Sequence, residues 1–410
     1  ICLMTRHKIL ALTLTALLCG CVEDDFDPGL DGGSFENPWV NQDYGNVPTA
    51  PSCPGQASMI QGTVFAPNGT DPVPGATVFV PAKTPELFPP AVKCEACASL
   101  GSSNNYWTTV TKWNGSFVLT GVCPGTRSLV MQNGRFRRLI TVKVGAKTTV
   151  KIPNHQSRLP RRNREFNVSD AIPKIAVATG DYDKMECVLR KMGLDTSAYH
   201  LYEGAKLLKN KALNKTLADL VKNYNLLKTY NIVFINCSDN TFETQLKNSQ
   251  VQQNLQKYVS SGGRLYVTDW SYDWIEQLPS LAKYIDFEPG ASGASPEAQN
   301  AAALGKNGLK IYADIKDSKL AKWLGQFSGA IQNGKSYISH FLTGWVIMKS
   351  VSKDVKTWVT GVIRSTNGTI QGSRPLTVTF NYNNCGKALF SSYHTEGRDD
   401  ELKGWPPQAK

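Results

Sequence analysis

Residues 22 to 82 contain no lysine and no arginine, although the 410-residue chain carries 45 basic side chains against 33 acidic ones. In their place stand Glu23, Asp24, Asp25, Asp27, Asp31, Glu36, Asp43 and Asp71, so the whole basic excess lies downstream. The spacing GxGxxG is also missing, which argues against a dinucleotide held by a glycine-rich backbone loop. The net charge of +12 comes without a nucleic-acid-binding motif. The apolar run Ile9–Leu18 falls short of the roughly 20 residues that a membrane-spanning helix needs. A single CxxC pair, Cys94 with Cys97, stands where a structural zinc site usually shows two. The apolar fraction of 41% excludes wholesale disorder, and the length allows two or three domains.

The amino terminus reads as a targeting signal over residues 1–20. Ile1 to Leu3 precede the expected start at Met4, Arg6 and Lys8 form a basic region, Ile9 to Leu18 an apolar core, and Leu18-Cys19-Gly20-Cys21 follows at once. This ending resembles the bacterial lipoprotein lipobox. The resemblance implies cleavage before Cys21 and a diacylglyceryl thioether plus an amide-linked acyl chain such as palmitate on that residue. Several acyl chains hold a membrane far better than one, at about 0.8 kcal/mol per buried CH₂. An ordinary signal peptide with an incidental cysteine is the alternative. Val22, rather than Asp, after Cys21 favours the outer membrane by the same resemblance. Loss of Arg6 and Lys8 lowers the formal charge from +12 to +10. An exported basic surface meets anionic lipopolysaccharide and acidic polysaccharide before it meets nucleic acid. The expected partners are therefore the membrane, through the lipid, and a polysaccharide or envelope protein.

Ten cysteines suit an exported chain. Cys53, Cys94, Cys97 and Cys123 cluster in one region, and two disulfides among them are the expectation, with a four-cysteine zinc site as the rival. Cys187 and Cys237 offer a further bond that would tie the first helix of the second domain to a strand end.

Residues 21–52 are rich in Asp, Gly, Asn and Pro without apolar period, and read as an acidic tether. Residues 53–153 read as a β-sandwich. Met59–Phe65, Ala76–Val80, Tyr106–Thr111, Ser116–Leu119, Ser128–Met131, Arg138–Val144 and Thr148–Ile152 are strand-like runs divided by glycine turns. The words Gly62-Thr63-Val64, Pro74-Gly75-Ala76-Thr77-Val78, Asn114-Gly115-Ser116-Phe117 and Pro124-Gly125-Thr126 resemble the carboxypeptidase regulatory-like, transthyretin-type domain. That resemblance implies a spacer or binding module without catalytic residues, departing from the family in the insertion Lys83–Tyr106. Residues 154–171, with Arg158, Arg161, Arg162 and Arg164, read as a basic linker, offering either contact with an acidic polymer or simple packing against neighbours.

From 172 to 400 the pattern is α/β. Ile175–Thr179 predicts a strand and Met185–Met192 a helix, with the Gly180-Asp181 turn between them a helix cap rather than an anion site. A further helix is expected over Asn214–Tyr224. Tyr230–Asn236, Leu246–Ser260 and Arg264–Thr268 then read as strand, crossover helix and strand, which implies a parallel sheet whose carboxyl ends bring the loops after Asn236 and Thr268 together. A small, polar excursion over Gly290–Gly308 and a helix over Asp317–Gln326 follow. Phe341–Ser350, Val355–Arg364, Leu376–Tyr382 and Lys387–Tyr393 predict antiparallel additions and a final strand that rejoins the sheet. Residues 401–410 form a tail.

Thr179-Gly180, the loop after Val233–Asn236, Gly262-Gly263-Arg264 and the closing Ser392-Tyr393-His394-Thr395-Glu396 resemble the class I glutamine amidotransferase-like, flavodoxin-like superfamily. The two-domain order, with Arg158-Leu159-Pro160-Arg161 at the junction and Glu186-Cys187 on the first helix, is similar to myxobacterial carboxypeptidase regulatory-like lipoproteins. The superfamily's enzymes place a cysteine at a sharp strand-to-helix turn, a histidine after the last strand and a glutamate two residues on. His394 and Glu396 match the latter pair, but the turn reads Thr268-Asp269-Trp270-Ser271 and lacks the cysteine. Ser271 with His394, or a metal on Asp269, His394 and Glu396, remain as catalytic candidates. Trp270, Tyr272 and Trp274, interleaved with acids and near Asp239, suit stacking on sugars instead.

The resulting expectation is a multidomain, lipid-anchored envelope protein: a β-sandwich followed by a flavodoxin-like parallel-sheet domain, acting as a non-catalytic binding module without cofactor or resident metal. A degenerate hydrolase or metal-dependent enzyme is one alternative, and a structural subunit of an envelope assembly is another.

Overall fold

The structure is a computed structural model that describes residues 50–94, 105–205, 213–238, 242–287, 298–338, 341–342 and 344–394. The expected signal, Cys21, the acidic tether before residue 50, Cys97, Asp239, Glu396 and the tail lie outside the described residues. The protein is multidomain and β-rich, with several sheets and few helices. One compact unit takes the described residues of Cys19–Phe88 and Glu95–Ala171, the other those of Pro89–Cys94 and Ile172–Lys410.

The first unit holds β1 (Ser58–Thr63), β2 (Thr77–Pro81), β3 (Asn105–Val110), β4 (Ser116–Val122), β5 (Gly125–Asn133), β6 (Phe136–Val144) and β7 (Thr149–Lys151). They form two sheets, β4-β1-β7 and β3-β2-β5-β6. Side chains alternate across a strand, and β4 buries Phe117 and Leu119 while exposing Val118 between them. The turn before β4 needs its glycine. At Gly115, φ is +74°, and an added Cβ would stand 2.7 Å from the Val64 carbonyl oxygen. Cys53 and Cys123 are joined, with their Cα atoms 5.6 Å apart.

Residues 154–171 are part of this unit rather than a free linker. The Phe65 N–H donates to Ser157 at 3.1 Å and its carbonyl accepts from Leu159 at 2.8 Å, while Arg137 and Ala171 exchange two bonds of 2.9 Å. The arginines find partners inside the unit as well. Arg158 grips Glu165 through two hydrogen bonds of 2.7 and 3.0 Å, and the Arg138 guanidinium lies 4.0 Å from the centre of the Phe166 ring.

The second unit is built on a nine-stranded mixed sheet. Its strands are β8 (Ile175–Ala178), β9 (Tyr199–Tyr202), β10 (Ile232–Ile235), β11 (Arg264–Thr268), β13 (Ile311–Ile315), β14 (Ser336–Ile338), β16 (Val355–Arg364), β17 (Ile370–Tyr382) and β18 (Gly386–Ser391). They run in the order β14-β13-β16-β17-β18-β11-β10-β8-β9, and a small ladder pairs β12 (Ile285–Asp286) with β15 (Ser350–Val351). The pairs from β18 through β11, β10 and β8 to β9 are parallel, and the rest are antiparallel. Every residue of β8 and β10 is buried, as strands covered on both faces must be.

Among the connecting helices, α1 (Met185–Lys191) follows β8, and α2 (Leu217–Lys222) precedes β10. The latter starts on a capping box, in which Thr216 accepts the Asp219 N–H at 3.1 Å and Asp219 accepts that of Thr216 at 2.9 Å. The crossover helix α3 (Ser249–Ser260) joins β10 to β11 and presents Val251, Leu255, Tyr258 and Val259 to the core. Gln250 N–H bonds the Asn248 cap at 2.9 Å, and the chain leaves the helix through Gly262 at φ +103°.

Three expectations need correction. The run Phe341–Ser350 is not a strand apart from its last residue, Ser350, which begins β15. Trp345, Val346, Ile347 and Met348 are all buried in succession, but Val346 makes only an isolated bridge with Leu304 and no continuous ladder forms along the run. The strand expected at Leu376 begins at Ile370 instead, because Pro375 sits opposite Thr360 where the ladder with β16 shifts register and an N–H can be spared. Finally, of the two disulfides expected among the four clustered cysteines, Cys53–Cys123 forms, but Cys94 finds its partner outside the cluster. Cys94 bonds Cys385, with Cα atoms 5.1 Å apart, because the segment Pro89–Cys94 belongs to the second unit, where the Val92 N–H donates to Lys228 at 2.8 Å. Together with the Cys53–Cys123 bond, this also rules out a zinc site made of Cys53, Cys94, Cys97 and Cys123.

Candidate functional site

Strands β8, β10, β11 and β18 lie side by side and parallel, in a register that pairs Ala178 with Ile235, Ile235 with Val267, and Thr268 with Ser391. Their carboxyl ends therefore open along one edge, where an open α/β sheet gathers its functional groups. Thr179-Gly180, Asn236-Cys237, Asp269 and Tyr393-His394 are the residues delivered there. The strands come close enough that a Cβ on Gly180 would lie 2.3 Å from the Cys237 carbonyl oxygen. At this position only glycine fits.

Asp269 occupies the turn at which β11 passes into the single turn Asp269–Tyr272. Its φ of +41° lies in the left-handed region, which Asp tolerates better than most residues because its short side chain can bond locally. The side chain is fully buried. Oδ1 accepts the Val346 N–H at 2.6 Å, and Oδ2 stands 2.9 Å from His394 Nε2 and 3.9 Å from the Cys237 thiol, which donates to it. The contact joins a buried carboxylate to an almost fully buried ring. Cys237 is held by its backbone N–H on Thr268 Oγ1 at 2.8 Å, and the Tyr182 ring lies 6.1 Å from that of His394.

Burial opposes a charged imidazole, yet the nearby Asp269 carboxylate, with Asp183 behind it, holds His394 above its usual value. Burial raises Asp269 as well, against the pull of His394. Next to the pair, Asn236 Nδ2 donates to Glu186 Oε2 at 3.1 Å, and burial pushes the Glu186 carboxyl up.

Cys237, Asp269 and His394 offer one sulfur, one oxygen and one nitrogen, all within 4.8 Å of one another. Asp269 and His394 come together as their sequence positions suggest, and Cys237 joins them. Glu396 and Asp239 fall outside the described residues. Ser271 is not a nucleophile in this arrangement, since its buried hydroxyl donates to the Asn236 carbonyl at 2.9 Å and ties two strand ends together. The expected aromatic face is corrected in the same way. Trp274 is fully buried, and Tyr272 packs its ring 5.0 Å from Phe287 while its hydroxyl accepts the Ala302 N–H at 3.1 Å. Only Trp270 of the three is half-buried. Cys187 and Cys237 are both thiols, not bonded to each other, because Cys237 is turned toward Asp269. No local pattern marks Val346, whose contact with Asp269 is distant along the chain.

No family model and no curated protein matches this chain. Among solved structures it is similar to a cytoplasmic protein of Salmonella typhimurium, at 14% identity and a TM-score of 0.33 over 57% of this chain and 94% of that one. It is also similar to the major pilin subunit BcpA of Bacillus cereus, at 12% identity and a TM-score of 0.17 over 26% of this chain and 30% of that one. A third likeness is to a GH42 β-galactosidase of G. stearothermophilus, at 10% identity and a TM-score of 0.26 over 55% of this chain and 28% of that one. All three fall below the overlap from which a shared fold follows.

Proposed function

We propose that this chain is a lipid-anchored protein of the outer membrane, held through Cys21, that serves the cell envelope as a binding or structural module rather than as a hydrolase. In this reading the first unit is a transthyretin-type, carboxypeptidase regulatory-like domain, and the second is a flavodoxin-like, amidotransferase-like domain that has lost its attacking group. One observation supports the reading above the others: the elbow after β11 holds a fully buried carboxylate, engaged by Val346 and His394, where an enzyme of that superfamily would present an accessible thiol. The buried Ser271 hydroxyl, committed to Asn236, supports it too.

The test has two arms. Intact protein in membranes should incorporate labelled palmitate and fractionate with the outer membrane, while Cys21→Ser should do neither. Purified protein should leave glutamine, simple amides and activated esters unhydrolysed. Turnover that vanishes in Asp269→Asn would overturn the non-catalytic reading without touching the anchor. That outcome would favour a metal-dependent enzyme, the second reading, which draws on His394 standing 2.9 Å from Asp269.

A further inference from the structure

We infer that Cys237 Sγ, Asp269 Oδ2 and His394 Nε2 together bind one thiophilic divalent cation of the zinc class, in a buried site at the carboxyl ends of β10, β11 and β18. The inference goes beyond the binding-module reading, which stands whether or not an ion is held.

The donor set comes first. Thiolate, imidazole and carboxylate are the three side-chain ligands that zinc takes, whereas calcium and magnesium want oxygen shells. Distance is the second argument. Around a tetrahedral zinc with bonds of about 2.0–2.3 Å, neighbouring donors stand roughly 3.3–3.6 Å apart. Here oxygen and nitrogen are 2.9 Å apart, oxygen and sulfur 3.9 Å, and all three donors fall within 4.8 Å. Shifts of a few tenths of an ångström bring the two measured separations to the tetrahedral values.

Orientation is the third argument. The same oxygen, Asp269 Oδ2, faces both the thiol and the ring nitrogen, so the carboxylate lies between them. In a thiol–imidazole–carboxylate relay the acid would instead hold the far side of the ring and leave the thiol to the near nitrogen. His394 Nε2 is buried and stands 2.9 Å from the same Oδ2. An ion seated among the three would take both of these atoms as ligands.

The surroundings fix the ligands. Val346 N–H occupies Oδ1 at 2.6 Å and turns Oδ2 inward, and Thr268 Oγ1 holds the Cys237 backbone at 2.8 Å. Such outer contacts commonly set metal affinity by orienting the ligands. Cys237, Asp269 and His394 stand two, one and three residues past the ends of β10, β11 and β18, so short segments carry them from the sheet. Three protein donors leave the fourth tetrahedral position to water or another group.

Cobalt(II) provides the probe, because thiolate coordination produces a charge-transfer absorption that oxygen and nitrogen ligands do not. The full-length mature protein, stripped with chelator, should take up one equivalent of cobalt with that band, and zinc should displace it. The Cys97→Ser/Cys187→Ser double variant should keep the band, and Cys237→Ser should lose it. His394→Gln should weaken zinc more than tenfold, with circular dichroism reporting that the fold persists. If Cys237→Ser fails to fold, the double variant still decides, since it removes the competing thiols. Absence of a cobalt band in the wild type, its survival in Cys237→Ser, or its loss in the double variant would each overturn the inference.

Discussion

Asp269 and Val346 lie 77 residues apart in sequence, and Oδ1 of the first accepts the N–H of the second at 2.6 Å inside the core. A buried N–H deprived of its acceptor costs about 1–3 kcal/mol. Asp269 also adopts a left-handed backbone that suits Asn and disfavours Ala. Asp269→Asn keeps an acceptor and the backbone preference, so it should cost about 1 kcal/mol, whereas Asp269→Ala should cost about 3 kcal/mol. Urea denaturation of the two variants side by side checks the difference, and equal losses would dissociate Val346 from the stability of this turn.

Asp273 gives the protein a pH dependence of definite sign. Burial, with Glu276 next to it, pushes its carboxyl up to about 7, while Oδ2 accepts the Asn300 N–H at 3.2 Å. Glu243 and the Tyr272 hydroxyl complete the surroundings. The folded-state value lies above the unfolded one, so the fold has its full stability below about pH 4 as far as this group is concerned. Stability is then lost as pH rises through 7. The loss should amount to about 2–4 kcal/mol between pH 5 and 9. Asp273→Asn should flatten that slope and make the protein more stable than wild type at pH 8, as read from denaturation midpoints across the range.

The disulfide pairs predict a distinct pattern of thiol reactivity. Under native conditions Cys187, half-buried on α1, should react with a maleimide, and Cys237 should react only after unfolding. Mass mapping without reductant should return Cys53–Cys123 and Cys94–Cys385. The bond between Cys53 and Cys123 spans a sequence separation of 70, and its loss in Cys53→Ser/Cys123→Ser should cost about 4 kcal/mol by loop entropy.

Trp270 and Trp274 are four residues apart and should behave as different kinds of residue. Trp274 is fully buried among core side chains, so Trp274→Ala should cost about 3–5 kcal/mol. Trp270→Ala should cost no more than about 2 kcal/mol, since the side chain already meets solvent. Thermal unfolding of both variants separates them, and similar losses would count against the placement of the two rings.

The layout of the strands was legible where the pattern was local. Tyr230–Asn236, the helix after it and Arg264–Thr268 announced a parallel pair because two short β-branched runs flank one amphipathic helix, and β10 and β11 pair in parallel. That pairing also put Cys237 beside Asp269, as the loops at two neighbouring strand ends must be. What could not be read depended on distant partners. The four residues Tyr199–Tyr202 are too short to carry a period, and β9 forms only because β8 offers its free side. Cys94 stands among cysteines that suggest a local partner, but its partner lies 291 positions away. Nothing in the spacing of Trp270, Tyr272 and Trp274 separates a sugar-binding face from core packing; the contacts of Tyr272 with Phe287 and Ala302 do so.

The bond between Cys94 and Cys385 turns most of the polypeptide into a closed ring, with residues 95 to 384 inside it. A protease that nicks the backbone once within that interval, even between Ala171 and Ile172 where the two units divide, severs no molecule in two. The clipped protein runs as a single species until a reductant is added, and then separates into an amino-terminal and a carboxy-terminal piece. The two pieces thus stay together after a cut that would otherwise part them.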